Sequence, residues 1–301
     1  MNLESAEGRR WLERAIGPRA RVDDLVALDG ATSSSLYRID AFIGGRVQRF
    51  VLRLFTMTEW LEQEPDLVAH EANVLQVAEA CGLPAPRLVA ETALDVGFGA
   101  PAIVMSFVEG EVNLRPSRLD DWIDAQAAML GQIHRSDASA LRWRYRTWTT
   151  RAQLNVPDWS RRKALWQRAI DVFRRGAPNA ASAFLHRDFH PVNVLWRGGE
   201  LSAVVDWVNG CVGPAGVDVA HCRLNLALMF GADVADAFSR AYAPNGFAGF
   251  DDPYWDVDCV LGALPDPTYY APWRHFGLGP IEPAELRSRL EDHLSRALAR
   301  A

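Results

Sequence analysis

The sequence predicts an α+β fold of two lobes, strands first and helices after, on three observations. Residues 22–29, 36–43 and 46–55 are strand-like runs, parted by turn residues as in a meander. From residue 119 onward, apolar side chains recur at helical spacing. One stretch interrupts the helical half: apolar residues 194–196 and 201–205 flank Arg197-Gly198-Gly199-Glu200, whose glycines supply the positive-φ positions of a tight hairpin. With 301 residues, 49% of them hydrophobic, the chain can bury a core in each lobe. The lobes are expected at 1–108 and 109–301.

The first elements follow in order. A small polar loop beginning at Gly30 joins the first two strands. Its backbone N–H groups could approach phosphates, with hydroxyls from Thr32, Ser33, Ser34 and Ser35, and a plain hairpin loop reads the same way. Gly44-Gly45 turns the chain into the third strand. Pro65 opens a helix that runs to about Cys81, and Gly82 ends it. Leu67, Val68, Val74, Leu75 and Ala78 form the helix's apolar stripe, which Glu71 interrupts. A carboxylate facing inward needs a cation, and Arg53, in the apolar strand 51–55, is the candidate. Pro84 and Pro86 lead into residues 87–90, and residues 102–105 form a buried strand. Helices are expected over 119–135, 159–174, 217–230 and 283–299, with Asp252-Pro253 as the cap and first turn of another. His134 reads as a capping or core histidine, and His186 and His190 as braces of the loop that holds them.

Composition excludes several roles. The net charge is −6, from 38 acidic and 32 basic residues, and no long basic run is present to follow a phosphate backbone, so nucleic acid is not an expected partner. Cys81, Cys211, Cys222 and Cys259 are scattered without a C-x-x-C pair, and the chain opens with no apolar signal core, so a reducing cytoplasm is the expected location. No apolar run reaches the ~20 residues of a membrane span. Between Arg142 and Lys163 basic residues interleave with Trp143, Tyr145, Trp148 and Trp159. Given the acidic balance elsewhere, this reads as the solvated face of an inserted helical segment, and base stacking is the lesser reading.

The chemistry gathers in residues 186–206. Asp188 and Asn193 share one loop, and Asp206 follows the second hairpin strand. The open end of the hairpin is expected to bring Asn193 next to Asp206, so that two oxygen ligands share one hard cation. Asp188 then lies one short loop away. One carboxylate to orient an attacking hydroxyl and two oxygen donors to hold Mg²⁺ are what phosphoryl transfer needs.

At these residues the chain resembles the protein-kinase-like phosphotransferases, through H-R-D-x-x-x-x-N at 186–193 and the later Asp206. It is similar to their small-molecule branch, the aminoglycoside phosphotransferase and choline kinase group. His190-Pro191 precedes Asn193-Val194-Leu195-Trp196, Asp206-Trp207 stands for Asp-Phe-Gly, and Asp218-Val219-Ala220 follows. The resemblance implies a protein-kinase-like bilobal fold, with a small β-rich nucleotide-binding lobe and a larger, mainly helical catalytic lobe. It also implies ATP or GTP as phosphoryl donor with Mg²⁺. It puts Arg53 and Glu71 in the places of the strand lysine and its helix glutamate, and the backbone of Ser106 and Val108 against the purine with Met105 behind it. The loop reads His-Arg-Asp where most antibiotic kinases of the group read His-Gly-Asp, and Val208 stands where many carry an acidic residue.

The short stretch between Asp206 and Asp218 holds no peptide-docking Ala-Pro-Glu, so the expected acceptor is a hydroxyl on a small molecule. Asp218 is expected to cap the helix that follows. An antibiotic leads as acceptor. A metabolic kinase of choline, a sugar or an amino alcohol is the alternative, as is a nucleotide-binding protein without catalysis. The acceptor is expected to be cationic or amine-bearing and to bind against residues 251–273. There Trp255 and Asp258 share a helix face, and a carboxylate beside an indole suits an ammonium, with Asp256, Tyr269, Tyr270 and Trp273 as walls. Core packing of these rings is the competing reading.

Overall fold

The computed structural model describes residues 5–29 and 33–300. The chain divides into two compact units, Met1–Gly110 with Ser202–Asn209, and Glu111–Leu201 with Gly210–Ala301. A single cut between 108 and 109 misses the return of the Asp206 segment to the first unit, where Val204 N donates to Pro84 O at 2.7 Å. That return is a tertiary contact, and no composition shift marks it.

In the first unit β1 (Arg21–Leu28), β2 (Ser35–Ile43), β3 (Arg46–Leu54), β4 (Leu88–Thr92) and β5 (Ala102–Ser106) form an antiparallel sheet in the order β1-β2-β3-β5-β4. Period-2 alternation turns Tyr37, Ile39 and Ala41 of β2 inward, where they meet Leu52 and Leu54 of β3 in one core. The meander is the one its turns predict. The tip of the Gly30 loop, including Thr32, lies outside the described residues. Helix α1 (Ala6–Ile16), which the sequence reading left out, adds Leu12 to that core, and Ser5 caps it by accepting from Gly8 N at 3.2 Å. After the short α2 (Thr58–Gln63), α3 (Leu67–Ala80) starts just beyond Pro65, and Gly82 at φ 68 reverses the chain. Its buried face includes Glu71 along with the apolar stripe.

The second unit holds β6 (Glu111–Val112), α4 (Leu119–Arg135), α5 (Lys163–Arg174), β7 (Ser182–Leu185) and β8 (Val194–Arg197). Strand β9 (Glu200–Val204) carries the chain out of this unit into the first. Beyond it come β10 (Cys211–Pro214), α6 (Gly216–Phe230), α7 (Ala232–Tyr242), α8 (Pro253–Gly262), α9 (Pro272–His275) and α10 (Pro283–Leu298). Antiparallel pairing of β7 with β10 sets Leu185 opposite Cys211, so the loop 186–193 leaves from a fixed strand end. Asp252 caps α8 by accepting from Tyr254 N at 2.9 Å, with Pro253 at the first helical position.

The segment 142–163 departs from expectation. Among the described residues it is irregular apart from a turn at Arg151–Gln153, and α5 begins only at Lys163. Its backbone is claimed by a strand edge instead: Tyr145 N donates to Val212 O at 2.9 Å and Val212 N to Trp143 O at 3.0 Å. Among the described residues no helix is long and apolar enough to cross a membrane.

Candidate active site

The loop after β7 is held from behind by one buried carboxylate. Asp218, in the first turn of α6, accepts from His186 N at 2.7 Å and Arg187 N at 2.8 Å, and His134 Nε2 lies 3.3 Å from it. Tyr242 Oη in turn lies 2.6 Å from His134 Nδ1. Asp218 is therefore not the helix cap that was expected. Ala215 occupies the cap position, and the carboxylate is engaged by the loop 186–193 and by His134. Burial alone would raise its pKa, but the hydrogen bonds and nearby histidine charges outweigh that and hold it below the usual range.

Held this way, the loop presents Asp188 with both oxygens engaged. His221 Nε2 lies 3.0 Å from Oδ1, and Asn193 Nδ2 donates to the Asp188 carbonyl at 2.9 Å and to Oδ2 at 3.3 Å. His186 Nδ1 accepts from Asp188 N and His190 Nδ1 from Val192 N, both at 3.3 Å, so these two histidines brace the loop. Burial pushes the Asp188 pKa up, but His190, His221 and His186 more than offset this and hold the carboxyl well below the usual carboxylate range. Asp188, His190 and His221 offer ligand atoms within 4.8 Å of one another, a spacing that could also hold a metal ion. The sequence reading missed His221. Its signal was present, because Asp218 and His221 are three apart and so face the same way on α6.

In the first unit Arg53 joins three of the predicted residues. It donates from Nη1 to Glu71 Oε1 at 2.5 Å, from Nη2 to Asp206 Oδ1 at 2.5 Å and from Nε to Ser34 Oγ at 3.1 Å. Arg53 is 4% exposed and the Glu71 side chain 1%. Burial opposes the guanidinium charge, yet the two carboxylates outweigh it and raise the Arg53 pKa further. Ser34 is thus committed to Arg53, while Ser35 pairs with Leu54 in the sheet and Ser33 lies just before it. At the expected purine edge, Ser106 N already donates to Arg87 O at 2.8 Å, so this N–H is not free, whereas Val108 N has no partner among the described residues. Met105 is buried in β5.

Asn193 and Asp206 fall in different units. Each on its own is an oxygen donor of the kind a hard cation takes. Asn193 spends its amide nitrogen on Asp188, leaving Oδ1, and Asp206 gives Oδ1 to Arg53, leaving Oδ2. Asp206 stands at φ 67, a left-handed conformation that aspartate tolerates better than most residues.

A cavity of about 230 Å³ in the second unit is lined by Tyr145, Trp148, Arg187, His221, Trp255 and Asp258, among others. His221 links it to Asp188. Trp255 and Asp258, expected to hold an ammonium, both line this cavity and both are already engaged by neighbours. Asp258 accepts from Tyr145 Oη and Thr147 Oγ1, both at 2.6 Å, and Trp255 Nε1 donates to Gly249 O at 3.0 Å. Asp256 lies apart, buried against Arg223, Arg300 and His293. The Tyr270 ring stands 6.2 Å from that of His190, whereas Tyr269 and Trp273 pack on each other 5.5 Å apart and Tyr269 Oη donates to Leu278 O. The positive charge that lines the cavity is that of Arg187, whose guanidinium carbon is 3.6 Å from the Trp148 ring centroid and 4.8 Å from that of Tyr145. Its backbone sits at φ 74, where a side chain other than glycine costs about 1–3 kcal/mol. A glycine there, as in most of the antibiotic kinases resembled, carries no such cost.

Residues 27–257 match the family described as the phosphotransferase enzyme family, APH. A homoserine kinase of Methylocella silvestris is 28% identical over 169 residues, 50% of this chain and 50% of that protein, so the match spans about half the length of this curated relative. Two solved structures share the fold across nearly their whole length. A thermostable mutant of aminoglycoside phosphotransferase APH(4)-Ia, in a ternary complex with ADP and hygromycin B, has a TM-score of 0.62 at 16% identity, covering 99% of both chains. Macrolide 2'-phosphotransferase MphH from Brachybacterium faecium has a TM-score of 0.60 at 17% identity, covering 96% of both.

Proposed function

This chain belongs to the phosphotransferase enzyme family, and on that premise we propose that it transfers the γ-phosphoryl group of ATP or GTP to a hydroxyl of a small molecule, with Mg²⁺ as cofactor. The bracketing of Asp188 carries the reading. Both of its oxygens are held, by His221 and Asn193, and His221 also lines the adjoining cavity. The acceptor oxygen bonds to the γ-phosphorus while its proton passes to Asp188, and the bond from phosphorus to the β–γ bridging oxygen breaks, releasing the nucleoside diphosphate. A carboxylate with a lowered pKa is a weak base. Asp188 therefore contributes chiefly by orienting the hydroxyl, and takes the proton late, as the acceptor oxygen loses electron density. By the motif, Asn193 and Asp206 would hold Mg²⁺, which when bound neutralises phosphate charge. Arg53, fixed by Glu71, would grip phosphate oxygens, and of the two hinge positions Val108 keeps a backbone N–H for the base.

Both an antibiotic and a metabolic alcohol suit this machinery, as the relatives' names illustrate. The cavity favours the metabolic one. At about 230 Å³ it falls below the roughly 300–1,000 Å³ of pockets for drug-sized ligands and suits a molecule the size of a hydroxy amino acid.

Release of nucleoside diphosphate by the purified protein tests the proposal. We expect Asp188→Ala to leave the nucleotide-induced thermal shift in place and to lower turnover by about 10² to 10⁴, the usual worth of a positioned proton acceptor. A variant that keeps more than half of the turnover removes Asp188 from the chemistry. A thermal shift with no nucleoside diphosphate released by the unaltered protein would instead mark a binding protein.

A further inference from the structure

We propose that Arg187 is the specificity-determining residue of the acceptor site and that the acceptor carries an anionic oxygen group, a carboxylate or a phosphate, which this guanidinium grips. The inference rests on the phosphotransferase reading above. Arg187 is only 6% exposed, yet it lines the cavity. Its flat faces are covered, with Trp148 at 3.6 Å and Tyr145 at 4.8 Å. Nη2 donates to Arg146 O at 3.1 Å, and among the described residues no carboxylate lies within ion-pair distance of the guanidinium. A cation caged by two rings keeps its in-plane N–H groups as its remaining hydrogen-bonding capacity, and that edge matches an oxyanion.

The surrounding groups point the same way. Asp258 could have neutralised Arg187 or attracted an ammonium, but its oxygens are taken by Tyr145 and Thr147. The Tyr145 pKa is raised, by burial first and by the Asp258 charge second, which keeps it a phenol that donates to Asp258 and a neutral wall against Arg187. Trp148, 50% exposed, covers the guanidinium on one side and stands 6.4 Å from the His221 ring on the other. His221 touches Asp188. One small molecule can thus present a hydroxyl to Asp188 and an anionic group to the next residue back along the loop. An ammonium in the same cavity would face a partly desolvated positive charge and be rejected. The backbone agrees, since a left-handed position between two loop residues that Asp218 and the histidines hold is where glycine would be the unstrained choice.

The test is an acceptor panel with purified protein and Mg-ATP. It sets glycerate as the carboxylate arm and glycerol 3-phosphate as the phosphate arm against neutral glycerol and cationic choline and hygromycin B. We expect one anionic arm to exceed the neutral and cationic acceptors at least tenfold in kcat/KM. Arg187→Gly, which suits the left-handed backbone, and Arg187→Lys, which keeps the charge without the fork, should each raise the acceptor KM at least tenfold, with the nucleotide KM changing less than twofold. Thermal unfolding checks that both variants are folded, and calorimetric titration of the same acceptors supplies a readout independent of turnover. Preference for choline, hygromycin B or glycerol overturns the inference. So does an unchanged acceptor KM in a folded Arg187 variant, or the failure of every anionic probe both to react and to bind. Failure of the phosphotransferase reading looks different: anionic probes bind in an Arg187-dependent way, yet no nucleoside diphosphate is released.

Discussion

Arg53 shows how much one residue can hold together. A buried guanidinium shared by Glu71 and Asp206 joins β3, α3 and the segment that returns to the first unit. Arg53→Ala leaves Glu71 without its cation in a site closed to water, and Glu71 Oε2 already lacks a partner among the described residues. We expect a loss of about 3–5 kcal/mol, the usual cost of breaking a buried pair from one side. Arg53→Lys keeps the charge but cannot fork to both carboxylates, so it should cost less stability while still weakening Mg-nucleotide binding. Denaturant titration and calorimetry separate the two effects. If Arg53→Ala unfolds at the same denaturant midpoint as the unaltered chain, the buried pair contributes nothing net.

At the scale of elements, the first turns of α6 organise the loop 186–193. Asp218 holds the loop backbone, and His221, one turn on, holds the Asp188 side chain. Asp218→Asn replaces one accepting oxygen with an amino group that faces the N–H donor of residue 186 or that of residue 187, since each donates to a different oxygen. Leaving such a donor unpaired costs about 1–3 kcal/mol. Because the same bonds set the position of Asp188, we expect kcat to fall at least tenfold with little change in nucleotide KM. Equal losses in both would mean that Asp218 only supports the fold. The start of α6 is tight for another reason. A Cβ on Gly216 would lie 2.2 Å from Trp255 Cδ1 in α8, so Gly216→Ala must displace the cavity wall and should destabilise by about 1–3 kcal/mol in thermal unfolding.

At the scale of the whole molecule, each unit is closed by its own buried core, and the second unit adds an ionic clasp. Asp256 of α8 meets Arg223 of α6, His293 of α10 and Arg300 just beyond it. Burial raises the Asp256 pKa, but Arg223 first, then His293 and Arg300, outweigh that and bring it to about 2 from an ordinary 3.8. A depressed folded-state pKa means that the contribution is fully present above the ordinary value and is lost as pH falls from about 4 to about 2. It amounts to about 2–3 kcal/mol by linkage. Asp256→Asn should therefore flatten the acid limb of the stability profile in that window. An unchanged slope between pH 5 and pH 2 would show that the clasp is not what titrates.

The sequence by itself determined what local rules govern. Turn glycines and β-branched runs placed the meander, Asp252-Pro253 and Gly82 marked helix ends, and the order of Asp188, Asn193 and Asp206 named the candidate chemistry. Glu71 interrupting an apolar stripe even pointed to Arg53, because a buried charge must have a partner. What only the tertiary structure decided is which distant group each buried polar residue meets. Periodicity says that Asp258 and Asp256 face inward, but not that Tyr145 and Thr147 saturate the first or that Arg223 and Arg300 claim the second. The basic, aromatic segment 142–163 read as solvated because its partners, Val212, Asp258 and Arg187, lie far along the chain. Hydrogen bonds and ion pairs act over a few ångströms of space, while sequence spacing measures only contour length. Which charged groups line the cavity beside His221 was therefore settled by packing.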